Sequence, residues 1–389
     1  MTTPRIAVIG TGTIGAQTLW QLAKHGADVT GYELFSPGHS RGAAGGETRL
    51  FRHIDVEHLE YLAVTGRSDL IWRELEQESG RTLRNLTGAL AIGSTNSPAT
   101  HTALKSAAAL GSRAEVFSRE EAQQRFPQYR LHEDEIAVLD KDAGIIYPER
   151  TVRTAADAAV ARGARILREC RVTAIDQVGS QVDIVADNGT ERYDRVVVAA
   201  GAWTATLLPD MAPYLATRRL ISSWYLPRAG STLDGMLPYL RTEPDYSYGL
   251  PTADGLAMKL GVGFRDHLPI ESPDTAPLRI TDEDLEPIRA VARDLFPMLD
   301  DYPMRAQAYF EAYTHSRIEF LREHPGMPSV FVCAGFSGKG FKNAPAFGEL
   351  AARAALGLPP ENDDAAFILD AEHVSLGTEF RPVRTSRGR

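Results

Sequence analysis

Hydrophobic positions along the chain change their period several times, and each change marks an element. Ile6, Ala7, Val8 and Ile9 form an unbroken apolar run, the pattern of a short strand buried on both faces of a parallel sheet. Helical spacing follows from Ala16 to Lys24, Gly26 closes it, and Val29 to Tyr32 reads as a second strand. His58 to Ser79 predicts an amphipathic helix with Leu59, Leu62, Leu70, Ile71 and Leu75 on its buried side. Leu86 to Gly93 reads as a strand. Pro98 to Tyr129 reads as two helical pieces, the second opened by a Ser118-x-x-Glu121 capping box. An alanine-rich helix runs from Val152 to Arg162 and stops at Gly163. Three strand-like runs come next, Val172 to Val178, Gln181 to Ala186 and Tyr193 to Ala199, the last two joined by the turn Asp187-Asn188-Gly189. From Leu220 to Gly263 short β segments alternate with Pro and Gly, predicting a separate antiparallel unit. Thr281 caps a helix to Leu295, and Val330 to Ala334 is a last strand. The fold class expected is α/β, α+β overall: a Rossmann-type nucleotide-binding domain plus an antiparallel β-sheet substrate domain.

Composition narrows the function. With 389 residues, 43% of them hydrophobic, the chain can bury a large core and is long enough for two domains. A net charge of −9 gives no general attraction for nucleic acid or anionic membrane, so the expected partner is a small molecule. The basic run from Arg381 to Arg389 reads as a frayed end. Cys170 and Cys333, the two cysteines, sit in strand-like segments and read as buried free thiols. No apolar run reaches the ~18 residues of a membrane span, and the first strand starts too near Met1 for a signal peptide, so a cytoplasmic protein is expected, a monomer or small homo-oligomer.

Two glycine loops carry the candidate chemistry. Gly10, Gly12 and Gly15, with Thr13 and Ile14 between them, keep the G-x-G-x-x-G spacing between a strand and a helix. The first glycine permits the turn, the second lets backbone approach a pyrophosphate, and the third lets the helix pack on its strand. The helix N-terminus then faces the phosphates. Glu33 falls about 20 residues further on, where a carboxylate accepts from ribose hydroxyls and would repel a 2′-phosphate. The long loop after it carries Arg41, Arg49 and Arg52 away from a strand end, where α/β ligand sites lie. The second loop, at Gly335, Gly338 and Gly340, again joins a strand to a helix, the latter opened by Asn343 and Pro345. A chain that leaves a nucleotide fold, builds a β domain and returns to the same ligand has the layout expected for FAD, whose flavin end needs its own cradle. The helix start after Lys342 would stabilise negative charge developing on a reduced flavin.

The chain resembles the monomeric sarcosine oxidase and N-methyltryptophan oxidase group of the D-amino-acid-oxidase-like flavoproteins, from Arg5 to about Gly357. The resemblance rests on GTGTIG with Glu33, GETRLFRH at Gly46 to His53, AGAW at Ala200 to Trp203, YGLP at Tyr248 to Pro251, MKLG at Met258 to Gly261 and AGFSGKGFK at Ala334 to Lys342. It implies a discontinuous FAD-binding domain of residues 1–84, 144–211 and 318–385, a substrate domain of 85–143 and 212–317, and a tail of 386–389. It implies that Arg41, Thr48, Arg49, Val172, Ala200, Gly201, Trp203, Phe336, Ser337 and Phe341 serve the cofactor along with the two loops. Arg52 and Lys342 match the pair that holds the substrate carboxylate, Lys259 matches the lysine credited with activating oxygen, and Tyr248 and Tyr313 match active-site tyrosines.

Three positions depart from that pattern. Glu311 stands where the family attaches its flavin through cysteine, so dissociable FAD is expected. Gly45 and Gly263 stand where the sarcosine oxidases carry histidines, so a larger or differently polar pocket and a bulkier substrate are expected. His267 and Arg265 are expected at the surface, and Arg241 is a candidate for meeting a second substrate carboxylate. The activity expected is oxidation of the C–N bond of a secondary, N-methyl or cyclic α-amino acid to an imine, with oxygen reduced to hydrogen peroxide. The alternatives are a flavin dehydrogenase or desaturase acting on a primary or carrier-bound amine, and a flavin-binding protein without catalysis.

Overall fold

The computed structural model describes residues 4–360, so the expected tail and the basic run at Arg381 to Arg389 lie outside the described residues. The first apolar run forms the strand Arg5–Ile9 near the middle of a six-stranded sheet. Its neighbours are Arg195–Val198 on one side and Asp28–Tyr32 on the other, both parallel to it. Met327–Ala334 lies parallel beyond Arg195–Val198, Arg165–Leu167 beyond Asp28–Tyr32, and Phe320–His324 closes one edge antiparallel. A strand buried on both faces wants apolar side chains at every position, which is why the run does not alternate. Helix Thr13–Lys24 is buried continuously from Ile14 to Ala23, because it lies against the sheet and between helices Pro148–Ala161 and Gly340–Ala355.

The second body is a nine-stranded sheet. Its order is Leu268–Pro269, Leu215–Tyr225, Met258–Val262, Ser247–Pro251, Tyr239–Arg241, Ala89–Ser94, Glu135–Asp140 and Ala114–Phe117, with Arg305–Thr314 also paired to Leu215–Tyr225. The sheet is not wholly antiparallel as expected, since Tyr239–Arg241 runs parallel to Ala89–Ser94. Its two centres of packing are the faces carrying Leu90, Tyr239, Leu260 and Phe296 and, on the other side, Ile54, Ala91 and Val138. The loop after Glu33 returns as Arg49–Phe51, which pairs with Gly144–Ile146 and so sets Arg49 and Arg52 between the two bodies.

Several local expectations are corrected. The helix from His58 begins at Tyr61, and its buried stripe runs through Val64, Ser68, Ile71, Trp72 and Leu75, which leaves Leu70 off the stripe and 57% exposed. The Asp187-Asn188 turn joins Gln181–Ala186 to a short strand, Gly189–Tyr193, and not to the apolar run after it. The cause is Asp194: its carboxylate accepts from the Arg5 amide at 2.8 Å while its own amide donates to the Arg5 carbonyl at 2.9 Å. That corner sends Arg195–Val198 into the parallel sheet. Between the two helical pieces of 98–129 lies the strand Ala114–Phe117, with the Ser118–Glu121 capping box formed after it. Both cysteines are buried and free.

Candidate active site

A cavity of about 1810 Å³ lies where the two sheets meet. Pockets for one drug-sized ligand run to roughly 300–1,000 Å³, so this one has room for a larger ligand with a second molecule beside it. Both glycine loops open into it, as do Thr13, Ile14, Glu33 and Val172. Gly10 adopts φ 86°, and a Cβ there would lie 2.6 Å from the Ala199 carbonyl oxygen, so the turn admits only glycine. At Gly15 an added Cβ would fall 1.8 Å from the Gly10 oxygen; this residue faces the turn, not the cavity. A Cβ at Gly12, Gly201 or Gly338 would meet nothing within 4 Å, and all three lie on the cavity wall. Helices Thr13–Lys24 and Gly340–Ala355 both begin without a side-chain cap, so first-turn amides of each are left for an anionic or carbonyl group in the cavity. Glu33 is buried; it accepts from the Thr11 amide and hydroxyl, both at 2.9 Å, and from the Phe35 amide at 2.9 Å. Its position is thereby fixed, with lone-pair sites remaining for ribose hydroxyls. These residues fit a dinucleotide.

Ala200, Trp203, Phe336, Ser337 and Phe341 also line the cavity, whereas Arg41 and Thr48 do not. Arg41 is exposed and lies over the Phe35 ring at 4.6 Å. Thr48 is buried behind the wall and presents its carbonyl to Arg49 Nη1 at 2.9 Å. Arg49 itself faces the cavity, held also by the Ala43 carbonyl at 2.7 Å and lying over the Tyr309 ring. Lys259 is fully buried, off the wall, and donates to the carbonyls of Gly46 at 2.9 Å and Thr48 at 2.6 Å. Burial, and then the charge of Arg49, push its pKa well below that of an ordinary lysine.

Arg52 and Lys342 converge on the cavity from elements far apart in the chain, and behind them sits Asp55, which sequence reasoning missed. Asp55 Oδ2 lies 2.9 Å from Lys342 Nζ and 3.5 Å from Arg52 Nη1, and its other oxygen accepts from the amides of Glu57 and His58. Arg52 also donates to the Ile54 carbonyl. Burial works against ionising Asp55, but Lys342 and Arg52 overcome it and hold the carboxyl well below its usual range. Burial, then repulsion from Arg52, lowers Lys342 to about 8, against the pull of Asp55. The pair thus presents a net positive charge on the wall, pre-positioned by one carboxylate. An acid three residues after Arg52 was the only trace of this in the sequence.

Tyr248 and Tyr313 line the cavity as expected, and Gly261 leaves room for the Tyr248 ring, since a Cβ there would lie 2.3 Å from it. Glu311 is on the wall, accepting from the Gly338 amide at 2.8 Å. The Tyr313 hydroxyl lies 3.1 Å from Glu311 Oε2 and 3.1 Å from His267 Nδ1. His267, expected at the surface, is buried because Nε2 reaches the Val262 carbonyl at 3.1 Å. That contact assigns the ring proton of a neutral imidazole to Nε2, so Nδ1 and the Glu311 carboxyl are both acceptors facing the single Tyr313 proton. The Tyr313 hydroxyl also points at Glu311 Oε2, to which it can donate. Burial lowers His267 to about 4 and raises Glu311, the latter against the Gly338 amide, the Tyr313 hydroxyl and the charges of Arg49 and Arg317. Arg265 lies on the cavity rim and is exposed.

Two expectations about pocket shape do not hold. Gly263 is on the wall, yet a Cβ there would lie 2.8 Å from Cβ of Tyr246, so Tyr246 fills the adjoining space. Gly45 faces Ser40, at 2.7 Å from an added Cβ to its Cα, and is not on the wall. Arg241 is likewise absent from the wall. Its guanidinium pairs with buried Glu135 at 2.6 and 2.7 Å, and with Asp294 at 3.4 Å, leaving no fork for a substrate.

Comparison with known proteins agrees with this geometry. The family model described as "FAD dependent oxidoreductase" matches residues 5–354. The chain is 29% identical over 365 residues to the monomeric sarcosine oxidase of Streptomyces avermitilis, covering 90% of this chain and 93% of that one. It is 29% identical over 367 residues to an N-methyl-L-tryptophan oxidase of Yersinia pestis, covering 94% and 98%. The fold is similar to that of NikD, an amino acid oxidase of nikkomycin biosynthesis, with a TM-score of 0.80 at 23% identity over 93% of this chain and 96% of that one. With the two glycine loops, the fixed Glu33 and the uncapped helix starts facing one cavity, the chain belongs to the FAD-dependent oxidoreductase family, and FAD is its cofactor.

Proposed function

We propose that the protein oxidises the C–N bond of an α-amino acid, with a secondary, N-methyl or cyclic amine, to an imine that water hydrolyses. The observation that carries this is the Arg52–Lys342 pair facing the cavity beside Tyr248 and Tyr313. Two cations held by one buried acid clamp a carboxylate in a fixed place and leave the amine of an α-amino acid free to point along the cavity. Bound FAD would supply the acceptor for the hydride leaving the carbon bonded to the amine nitrogen, with the amine proton passing to solvent. Tyr246 and Phe264 line the wall on the side of the substrate. In this reading the cofactor domain is 1–84, 144–211 and 318–385 and the substrate domain is 85–143 with 212–317, of which residues 4–360 are described. The FAD is dissociable, since a carboxyl group, Glu311, occupies the attachment position.

Molecular oxygen, reduced to hydrogen peroxide, is the final acceptor in this reading, supported by the oxidase names of the similar proteins. A second reading, a dehydrogenase passing its electrons to another carrier, is favoured by one observation: Lys259 is turned to two backbone carbonyls and is off the cavity wall.

Spectra of the purified holoprotein without oxygen test both. Flavin absorbance that bleaches with N-methyl or cyclic amino acids and returns quickly in air supports the oxidase. Bleaching with slow return in air supports the dehydrogenase, and no bleaching with any primary, secondary or cyclic amino acid overturns amine oxidation.

A further inference from the structure

Beside the same cavity, Arg317 and Arg218 share one aromatic ring, and neither makes a salt bridge among the described residues. Their guanidinium carbons lie 4.6 and 4.4 Å from the centroid of the Phe264 ring, and Arg317 also lies 5.1 Å from that of Tyr313. Arg317 and Phe264 are on the cavity wall. Arg317 Nη1 is buried and without a hydrogen-bond partner among the described residues, as is Nε of Arg218. Arg218 is itself 9% exposed, and its one polar contact is a 3.3 Å donation to the His267 carbonyl. Burial lowers its pKa and Arg317 lowers it further, so the two cations repel one another across the ring. Glu311, also on the wall, makes no salt bridge to either arginine among the described residues; burial raises its pKa while the charges of Arg49 and Arg317 oppose that.

Buried guanidinium donors are costly to leave unmade, and two like charges without a counter-ion add to that cost. The backbone is also held in an uncommon conformation to place this side chain: Arg317 has φ 65°, the left-handed region that an arginine rarely enters. Aromatic faces orient the guanidinium without neutralising it, which leaves its planar fork available for an anion. Tyr246, on the wall between, is acted on by the charges of both Arg52 and Arg317, so the clamp and this second cation act on the same stretch of the cavity.

We infer that Arg317, backed by Arg218, is a second anion subsite, and that the substrate is an α-amino acid whose substituent ends in a further carboxylate or phosphate. The inference rests on the proposed amino-acid oxidation: Arg52 and Lys342 take the α-carboxylate, and Arg317 takes the distal anion. It also assigns to Arg317 the role that sequence reasoning had offered to Arg241.

The test compares wild type, Arg317→Ala and Arg317→Lys as holoproteins, with thermal unfolding as a check on folding. First, kcat/KM is measured for N-methylglutamate against N-methylglutamine, and for O-phospho-N-methylserine against N-methylserine. Wild type should prefer one of the charged members, and which pair shows the preference identifies carboxylate or phosphate. The preference should fall about tenfold or more in Arg317→Ala and partly in Arg317→Lys, which keeps charge but loses the fork. Second, the dissociation constants of glutarate and butyrate, which carry no amine, are read from perturbation of the flavin spectrum. Glutarate should bind more tightly than butyrate, and Arg317→Ala should remove the difference. If no amine is oxidised but glutarate still discriminates, the reaction is wrong and the subsite stands. If amines are oxidised with equal preference in wild type and Arg317→Ala, the subsite is overturned and the reaction stands.

Discussion

Asp55 and Lys342, 287 residues apart in the chain, meet at 2.9 Å inside the protein, and the same Asp55 oxygen faces Arg52 at 3.5 Å. One buried acid therefore sets the charge of the whole Arg52–Lys342 pair.

The lowered Lys342, at about 8, makes carboxylate binding depend on pH. Above that value the ammonium loses its proton and its attraction for an anion, so the dissociation constant of acetate, which has no amine to titrate, should rise from about pH 8 upward. Asp55→Asn removes the charge that holds the Lys342 proton, so the rise should begin at lower pH. Acetate titrations of the flavin spectrum across pH 6 to 10 check both, and binding that stays flat to the top of the range would exclude Lys342. The same change leaves two buried cations facing each other, at a cost of about 3–5 kcal/mol to stability. Asp55 itself has a depressed folded pKa, so its contribution is present above the ordinary carboxylate range and is lost as pH falls.

Glycines of the first loop should separate folding from cofactor binding. Gly12→Val adds atoms where nothing lies within 4 Å, toward the cavity, and should give a folded, colourless protein. Gly15→Ala places its Cβ 1.8 Å from a backbone oxygen and should lower folded yield outright. Far-ultraviolet circular dichroism with flavin absorbance distinguishes the two, and a yellow Gly12→Val protein would remove Gly12 from the phosphate site.

Burial favours the neutral form of Glu311, which predicts that Glu311→Gln is nearly silent. Glutamine keeps a polar group facing Tyr313 and an oxygen that accepts from the Gly338 amide, so thermal stability should change by less than about 0.5 kcal/mol, whereas Glu311→Ala should lose about 1–3 kcal/mol. A large loss in Glu311→Gln would show an ionised carboxylate. Because the folded pKa of His267, about 4, lies below its ordinary value of 6.5, stability from the neutral ring is present above pH 6.5 and is lost as pH falls toward 4. Replacing His267 by Asn should flatten that slope in denaturant titrations. Flavin recovered quantitatively in the filtrate after denaturation would match a carboxyl in place of an attaching thiol.

Arg241→Ala should cost about 3–5 kcal/mol, because it strands the buried Glu135 carboxylate. Its preference between acidic and neutral substrates should equal that of wild type, and a changed preference would bring Arg241 back to the site.

Local signals in the sequence were read correctly where one short segment contains the whole cause. The glycine turn, the Ser118 and Thr281 caps and the second glycine loop each lie within a few residues, and each formed. Pairings across the chain were not legible. Glu135 meets Arg241 across 106 residues, and nothing in the spacing of either separates a structural ion pair from a substrate contact. His267 lies among exposed Arg265, Asp266 and Leu268, so its burial has no local pattern. The loss of an imidazole at Gly263 suggested space, but the side chain that fills it, Tyr246, comes from another part of the β domain. The carboxylate clamp was found from its motif, while the acid behind it needed three dimensions.

The strand Arg5–Ile9 has Arg195–Val198 beside it, and Met327–Ala334 completes that side of the sheet. Arg5–Ile9 must therefore wait for the much later Met327–Ala334 before its sheet is whole, a contact pattern that slows folding. The nine-stranded sheet, built from the intervening chain, is complete sooner. During synthesis the nucleotide grip at Gly10 stays half made while the second body is already available, which makes the last few dozen residues the timekeeper for flavin uptake. A chain stopped before Ala334 would keep its entire first motif and still bind no flavin.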